Sequence, residues 1–592
     1  MKKTIFTLCL VLAATCAWAS FAFNNVGGWY ETAYAEWGYA SNYDYYHAYV
    51  TSDDATFTRV DSMLLRDYGH FARVDVVGLA AGTYKLRIVP VIDGAEQTAD
   101  ALTTDWIDVY AYDRSGFAHK DFANQMGAYD DNGVLRSDAK VLYITSETAA
   151  TVTTDVVYNN KGDVRTATEL QHILTAYQKG FDTTPLAIRF VGHVVADDLD
   201  SLGSSEEGLE VKGRTADSYM PITIEGIGYD ACVSQFGMLI RNCKGVEIRN
   251  LGFFLFMDDG LSFDTDNTNC WAHHLDFFYG NPGSAADQVK GDGSLDCKAD
   301  SKQMTFSYIH FWDSGKMSLC GMKNESVHSR ICYHHNWFDH SDSRHPRVRT
   351  MTVHVWNNYF DGNAKYGVGV TTGASVFVEN NYFRGAYRPM MISLQGTDIK
   401  NGANNGTFSK EKGGIIKAYG NQFVDNRSNF SYVTYAQNQT DFDAYEVAQR
   451  TDAVPETVVC KEGGSNYNNF DISDSLMYTY TPLAAADVPG VVTGALGAGR
   501  MQGGDIAYTF TTADDTNDAV MADLKSLLTS YQSGMQRILV PTAHSGLERL
   551  QMDVPSAQLD LSQPVYDVLG RRMYAVQKGQ VYIQNGQKVV LQ

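Results

Sequence analysis

The chain has 592 residues, 44% hydrophobic and 20% charged, too long for one ordinary core and therefore built either from several domains or from a repeat array that adds core as it lengthens. An aromatic share of 12% and 52 glycines suit strands and turns more than helices. The net charge of −22 excludes nucleic acid as a partner and any polyanion held by net charge alone, so a polyanionic ligand requires a local cation cluster or a bound metal.

Met1-Lys2-Lys3, the apolar run Ile5 to Ala14 and Ala17-Trp18-Ala19 follow the charged, apolar, small-residue order of a signal peptide over residues 1–19, which predicts a secreted or cell-surface protein. No later run reaches the ~18 apolar residues of a membrane span. Beyond the signal stand Cys232, Cys243, Cys270, Cys297, Cys320, Cys332 and Cys460, an odd number without CxxC or zinc spacing, which leaves buried thiols and one or two disulfides equally open.

Residues 24–117 alternate apolar and polar positions in short runs, such as Ala72 to Val77 and Thr83 to Val89, parted by turns such as Ala80-Ala81-Gly82. That pattern predicts a β-sandwich, and Leu79 to Tyr84 resembles part of a fibronectin type III module. Residues 118–502 hold a repeat, a polar corner shortly before a phenylalanine. It recurs at Asn250 to Phe253, His273 to Phe277, Asn336 to Phe338, Asn357 to Phe360 and Asn380 to Phe383. The steps from Phe253 to Phe277, Phe338 to Phe360 and Phe360 to Phe383 are 24, 22 and 23 residues, with a longer gap between Phe277 and Phe338. Coils of that length predict an all-β, right-handed parallel β-helix with an asparagine ladder at one turn. Residues 503–560 read as a linker with a short helix, since Asn517 to Tyr531 have helical spacing. Residues 561–592, with Val565 to Met573, Val581 to Ile583 and Val589-Val590, read as a small C-terminal β module that resembles the sorting domains of type IX secretion substrates.

The chemistry concentrates in the repeat. In Ser343-Arg344-His345-Pro346-Arg347-Val348-Arg349 the two later arginines share a strand face, and three guanidinium groups so close repel unless an anion lies among them; carboxylates such as Asp339 and Asp342 are one such source. Upstream, Asp258-Asp259 and Asp292-Gly293-Ser294-Leu295-Asp296 place carboxylates on adjacent coils about 5 Å apart, close enough to hold one hard cation such as Ca2+, although Asp-Gly pairs alone usually mark turns. Lys316 is the one cation between Trp312 and Gly321.

The ordered set Asp292 and Asp296, Lys316 with Leu319 and Gly321, His334 to Asn336, Arg344 with Pro346 and Arg349, and His354 to Tyr359 resembles the pectate lyases of polysaccharide lyase family 1 over roughly residues 120–502. The resemblance implies calcium held by Asp292, Asp296 and Asp259. It also implies Arg344 as catalytic base, Lys316 and Arg349 as carboxylate-binding cations, and polygalacturonate or pectin as substrate. A monomer is expected. One departure is visible: the family's Trp-Ile-Asp-His reads Trp271-Ala272-His273-His274 here. The competing readings are a pectin lyase acting on methylated chains without calcium, and a non-catalytic glycan-binding β-helix. A galacturonan hydrolase would carry paired acids with a Gly-His-Gly, which the sequence lacks.

Overall fold

The computed structural model describes residues 21–40, 42–282, 289–322, 325–399, 408–501 and 506–539, and the backbone of short strands between 565 and 590. The expected signal peptide lies outside the described residues. The chain divides into two units, Met1–Ile538 and Leu539–Gln592.

The larger unit opens with two antiparallel sheets. One runs through Phe23–Trp29, Thr32–Gly38, Phe71–Val77 and Leu65–Asp67, the other through Ile107–Val109, Gly82–Ile92, Tyr45–Thr51 and Thr58–Arg59. Ala33, Ala35 and Trp37 are buried on one face of Thr32–Gly38, and Thr32 and Glu36 are buried on the other, so this strand is covered on both sides. From Lys140 onward, strands stack in parallel as three sheets along one axis, giving a parallel β-helix. The first sheet contains strands such as Thr268–His273, Lys302–Ser307 and Arg330–His334, the second Gly252–Phe254, His310–Trp312 and Trp337–Asp339, and the third Leu261–Asp264, Leu295–Lys298, Leu319–Cys320 and Arg347–Arg349. One continuous apolar cluster fills the interior.

The aligned phenylalanines form a column. Phe253, Phe277, Phe311, Phe338, Phe360, Phe383 and Phe423 are register partners in turn, with ring centroids 4.1–5.5 Å apart. Phe311 supplies the rung inside the long gap from Phe277 to Phe338. Each corner before the column has a residue of positive φ, at Asn250, His274, Tyr308, His335, Asn357, Asn380 and Gly420. The next residue faces inward, and from Asn336 onward it is an asparagine. Asn336 Nδ2 donates to Asn358 Oδ1 at 2.9 Å, Asn358 Nδ2 to Asn381 Oδ1 at 3.0 Å, and Asn381 Nδ2 to Asn421 Oδ1 at 3.0 Å. Replacing Asn358, which is fully buried, with alanine removes the acceptor of Asn336 N–H and of one Nδ2 hydrogen, and leaves Asn381 Oδ1 with only the Asn358 backbone N–H. We expect a loss of about 1–3 kcal/mol in denaturant unfolding; a loss below about 0.5 kcal/mol would show that the ladder is not structural.

Helix Ala522–Thr529 falls inside the stretch with helical spacing. The segment expected as a linker does more than connect: Arg537–Ile538 pairs antiparallel with Leu65–Asp67 and extends an N-terminal sheet. All seven described cysteines are buried thiols, so the core holds them as small apolar groups. No helix among the described residues is long and apolar enough to cross a membrane. In the smaller unit, Val565–Tyr566, Arg572–Met573, Val581–Gln584 and Gln587–Val590 form a four-stranded antiparallel sheet.

Candidate active site

The third sheet carries the site. Gly293, Lys316 and Ser343 are bridge partners on successive coils, Met317 N–H donates to Ser343 O at 3.0 Å, and Ser318 N–H donates to Arg344 O at 2.9 Å. Rungs stand about 4.8 Å apart. Asp292, Lys316 and Arg344, each on or beside this column, therefore meet in one patch.

Met317, next in that register, points into the core. Arg344 takes a left-handed backbone, φ 66°, which lets its side chain leave the inward direction that alternation would give it. Such a conformation costs a side-chain-bearing residue about 1–3 kcal/mol, and at this position it delivers a half-buried guanidinium beside Tyr366. Burial pushes the Tyr366 hydroxyl up, and the Arg344 charge pulls it back.

Lys316 Nζ lies 3.2 Å from Asp292 Oδ1. Strand Leu295–Lys298 turns Leu295 and Cys297 inward and so projects Asp296 and Lys298 from the opposite face. Lys298 Nζ stands 2.6 Å from Asp259 Oδ2 and 3.4 Å from Asp296 Oδ2. Burial opposes its charge, yet Asp296 and Asp259 outweigh that and hold the ammonium protonated. Two carboxylates share this one cation, so burial and the Asp296 charge push Asp259 up. Asp259 also accepts Gly293 N–H at 3.1 Å. Its neighbour Asp258 is the one that feels Asp292: burial raises the Asp258 carboxyl, and the Asp292 charge raises it further.

Among Asp258, Asp292, Asp296 and Asp259, the chain concentrates hard oxygen donors of the kind calcium takes in groups of six to eight. Gly293 leaves room for two of them, because a Cβ there would lie 2.5 Å from Asp296 Oδ1 and 2.7 Å from Asp259 Oδ1; the oxygens of Asp259, Asp292 and Asp296 do not form one tight group. Glu206 and Glu207 bring carboxylate oxygens within 4.8 Å of that of Asp258. These residues fit a calcium ion, with Asp258 facing Asp292 while Asp259 is tied to Lys298.

Arg349 ends the strand Arg347–Arg349, whose middle residue Val348 is buried. Its Nε donates to Glu411 Oε1 at 3.0 Å, and its Nη1 lies 3.6 Å from Glu325 Oε2; Arg347 Nη2 is 3.6 Å from Glu411 Oε2. Burial opposes ionisation of Glu411, but Arg349 holds its carboxyl below the usual range. Asp339 and Asp342 serve elsewhere, on His310 and His340 and on Lys290 and Lys365.

The pectate lyase family model matches residues 111–501. This chain belongs to the pectate lyase family. It is 27% identical over 234 residues to a pectate trisaccharide-lyase of Bacillus licheniformis, an alignment covering 39% of this chain and 65% of that one. It is 25% identical over 286 residues to pectate lyase 2 of Pectobacterium carotovorum, covering 47% of this chain and 67% of that one. Among solved structures it is similar to a Bacillus pectate lyase in complex with trigalacturonate, at 20% identity and a TM-score of 0.45, covering 66% of this chain and all of the other.

Within this member of the pectate lyase family, Lys298, Glu325 and Glu411 are site neighbours that motif reading misses. Lys298 had a signal, standing two residues after Asp296 on the same strand face. Glu411 had none, being 62 residues from Arg349 and joined to it only by the fold. The variant tetrad Trp271 to His274 lies away from the third sheet. His273 stacks on Trp271 at 3.6 Å and meets Tyr112 at 4.6 Å, so these substitutions fit the N-terminal module.

Proposed function

We propose that the chain is a secreted lyase that cleaves de-esterified α-1,4-galacturonan by calcium-assisted β-elimination, with residues 118–502 as the catalytic β-helix, 24–117 as an N-terminal sandwich and 561–592 as a sorting module. The observation that carries this reading is the column of Gly293, Lys316 and Ser343, which supports a site built across neighbouring coils, with Lys316 against Asp292 and Arg344 next after Ser343. The names of its relatives support the substrate class.

A galacturonate residue carries its carboxylate on C5, so loss of the C5 proton builds enolate-like charge on that carboxylate. Asp292, Asp296, Asp259 and Asp258 would hold a calcium ion, which would supply positive charge at that carboxylate. Lys316 and Arg349 orient the same carboxylate and stabilise the charge as it develops, an effect of several kcal/mol when water is excluded. Arg344 accepts the C5 proton, the C4–oxygen bond breaks, and an unsaturated sugar end remains.

Chelation distinguishes this from a calcium-independent lyase acting on methylated pectin. With a calcium chelator, cleavage of polygalacturonate is expected to fall to background and to return when calcium is restored. Undiminished cleavage under the chelator, or a preference for fully methylated pectin, would reject the calcium-dependent reading.

A further inference from the structure

A second cavity lies away from the third sheet, between the N-terminal module and the glycine-rich loop that closes the repeat. Its volume is about 380 Å³, within the range of small-molecule sites, about 300–1,000 Å³. Trp29 and Arg500 line it from below, Tyr34 and Tyr229 from the side, and exposed Asn25 and Ala495 form its rim.

Three guanidinium groups cluster around one carboxylate here. Arg66 and Arg73 both donate to Asp75, and Arg73 also donates to Glu36 at 2.5 Å. Arg73 is held between the rings of Tyr34 and Tyr229, 4.3 Å from each centroid. Arg500 comes third. Its Nη2 stands 3.8 Å from Asp75 Oδ1, beyond hydrogen-bond distance, and its Nε donates to Gly228 O at 3.1 Å. Among the described residues its Nη atoms have no acceptor within hydrogen-bond distance. Its guanidinium lies 3.7 Å over the Trp29 ring. Burial pulls its pKa down to about 10, with Arg73 adding to the fall and Asp75 opposing it, whereas the Arg73 charge is held firmly by its partners. The cavity thus presents one guanidinium whose Nη atoms stand beyond hydrogen-bond distance of Asp75, beside the half-buried Tyr34 and Tyr229.

We propose that this cavity is a non-catalytic binding site for a uronic acid, the sugar carboxylate pairing with the Nη atoms of Arg500 and the sugar ring lying against the half-buried edges of Tyr34 and Tyr229. A planar guanidinium takes a carboxylate through two parallel hydrogen bonds, and contact of the sugar ring with the tyrosine edges supplies the apolar area that a free carboxylate such as acetate lacks. The loop Gly494-Ala495-Leu496-Gly497-Ala498-Gly499 forms one wall, and at Gly499, φ 72°, a Cβ would lie 2.5 Å from Asp276 Oδ1. The site needs neither calcium nor the residues of the third sheet, so it stands independently of the proposed lyase activity.

The test is calorimetric titration of the full chain carrying Lys316→Ala, with a chelator present, using galacturonate and glucuronate as probes and galactose and acetate as controls. Either uronate is expected to bind at one site, while galactose and acetate bind at least tenfold more weakly. Arg500→Gln is expected to weaken uronate binding at least tenfold. Ala495→Trp, on an exposed loop position and therefore compatible with folding, is expected to block the mouth and give the same loss. Absence of uronate binding under chelation, equal binding of acetate, or binding unchanged in Ala495→Trp would overturn the proposal.

Discussion

Arg344→Ala is expected to lower turnover of polygalacturonate about 10²–10⁴-fold while leaving the unfolding midpoint close to that of the parent. The argument begins in the backbone. A residue at φ 66° with an arginine side chain is held in a conformation its own chemistry disfavours, and the surrounding register, fixed by Ser318 N–H on Arg344 O, is what holds it. A base must be unprotonated and arginine ordinarily keeps its proton well past neutrality, so the rate should climb with pH. Arg344→Lys separates the two roles that the side chain could play. A purely electrostatic residue tolerates lysine within about tenfold, whereas a base positioned by a planar guanidinium does not. Activity that falls between about pH 7 and 9 while the protein stays folded would assign Arg344 the electrostatic role.

The largest stability effect is expected at the seam between the N-terminal module and the β-helix. Arg249 is buried and donates to Glu225 at 2.9 Å and 3.0 Å, to Glu31 of the N-terminal module at 3.2 Å, and to Glu247 at 3.2 Å. Burial opposes its charge, but Glu247 and Glu225 hold it protonated. Arg249→Met removes the cation and leaves its carboxylate partners in a dry interface, a change that typically costs about 3–5 kcal/mol. Glu31 registers the strain already: burial pushes it up even with Arg249 and Arg114 pulling down. Guanidinium unfolding is the measurement. Lys85→Ala, at a pair in which Asp54 is 47% exposed, is the comparison and should cost no more than about 1 kcal/mol. Equal effects at the two positions would mean that the buried network does not fasten the module.

Much of the architecture was legible because its repeat is chemical. A phenylalanine that points inward every coil must recur at the coil length, and the asparagine beside it must recur to continue a ladder. The rung at Phe311 follows Ile309, not an asparagine, so its corner carries no polar mark although its backbone turns the same way at Tyr308. The candidate site was legible where spacing along one strand decides which side chains share a face, as at Asp296 and Arg349. It was not legible where the partner arrives from a distant loop, as Glu411 does, or where two adjacent carboxylates divide their work, as Asp258 and Asp259 do. Nor does local sequence reveal that Arg537–Ile538 returns to extend an N-terminal sheet, since two residues carry no periodicity.

The most direct measurement of the central claim is the ultraviolet absorbance of the unsaturated uronate product, followed on polygalacturonate with calcium for the parent and for Arg344→Ala. A steady rise with the parent that disappears in the variant is the predicted result. No rise with the parent on polygalacturonate or on methylated pectin would contradict β-elimination and leave the β-helix as a glycan-binding scaffold.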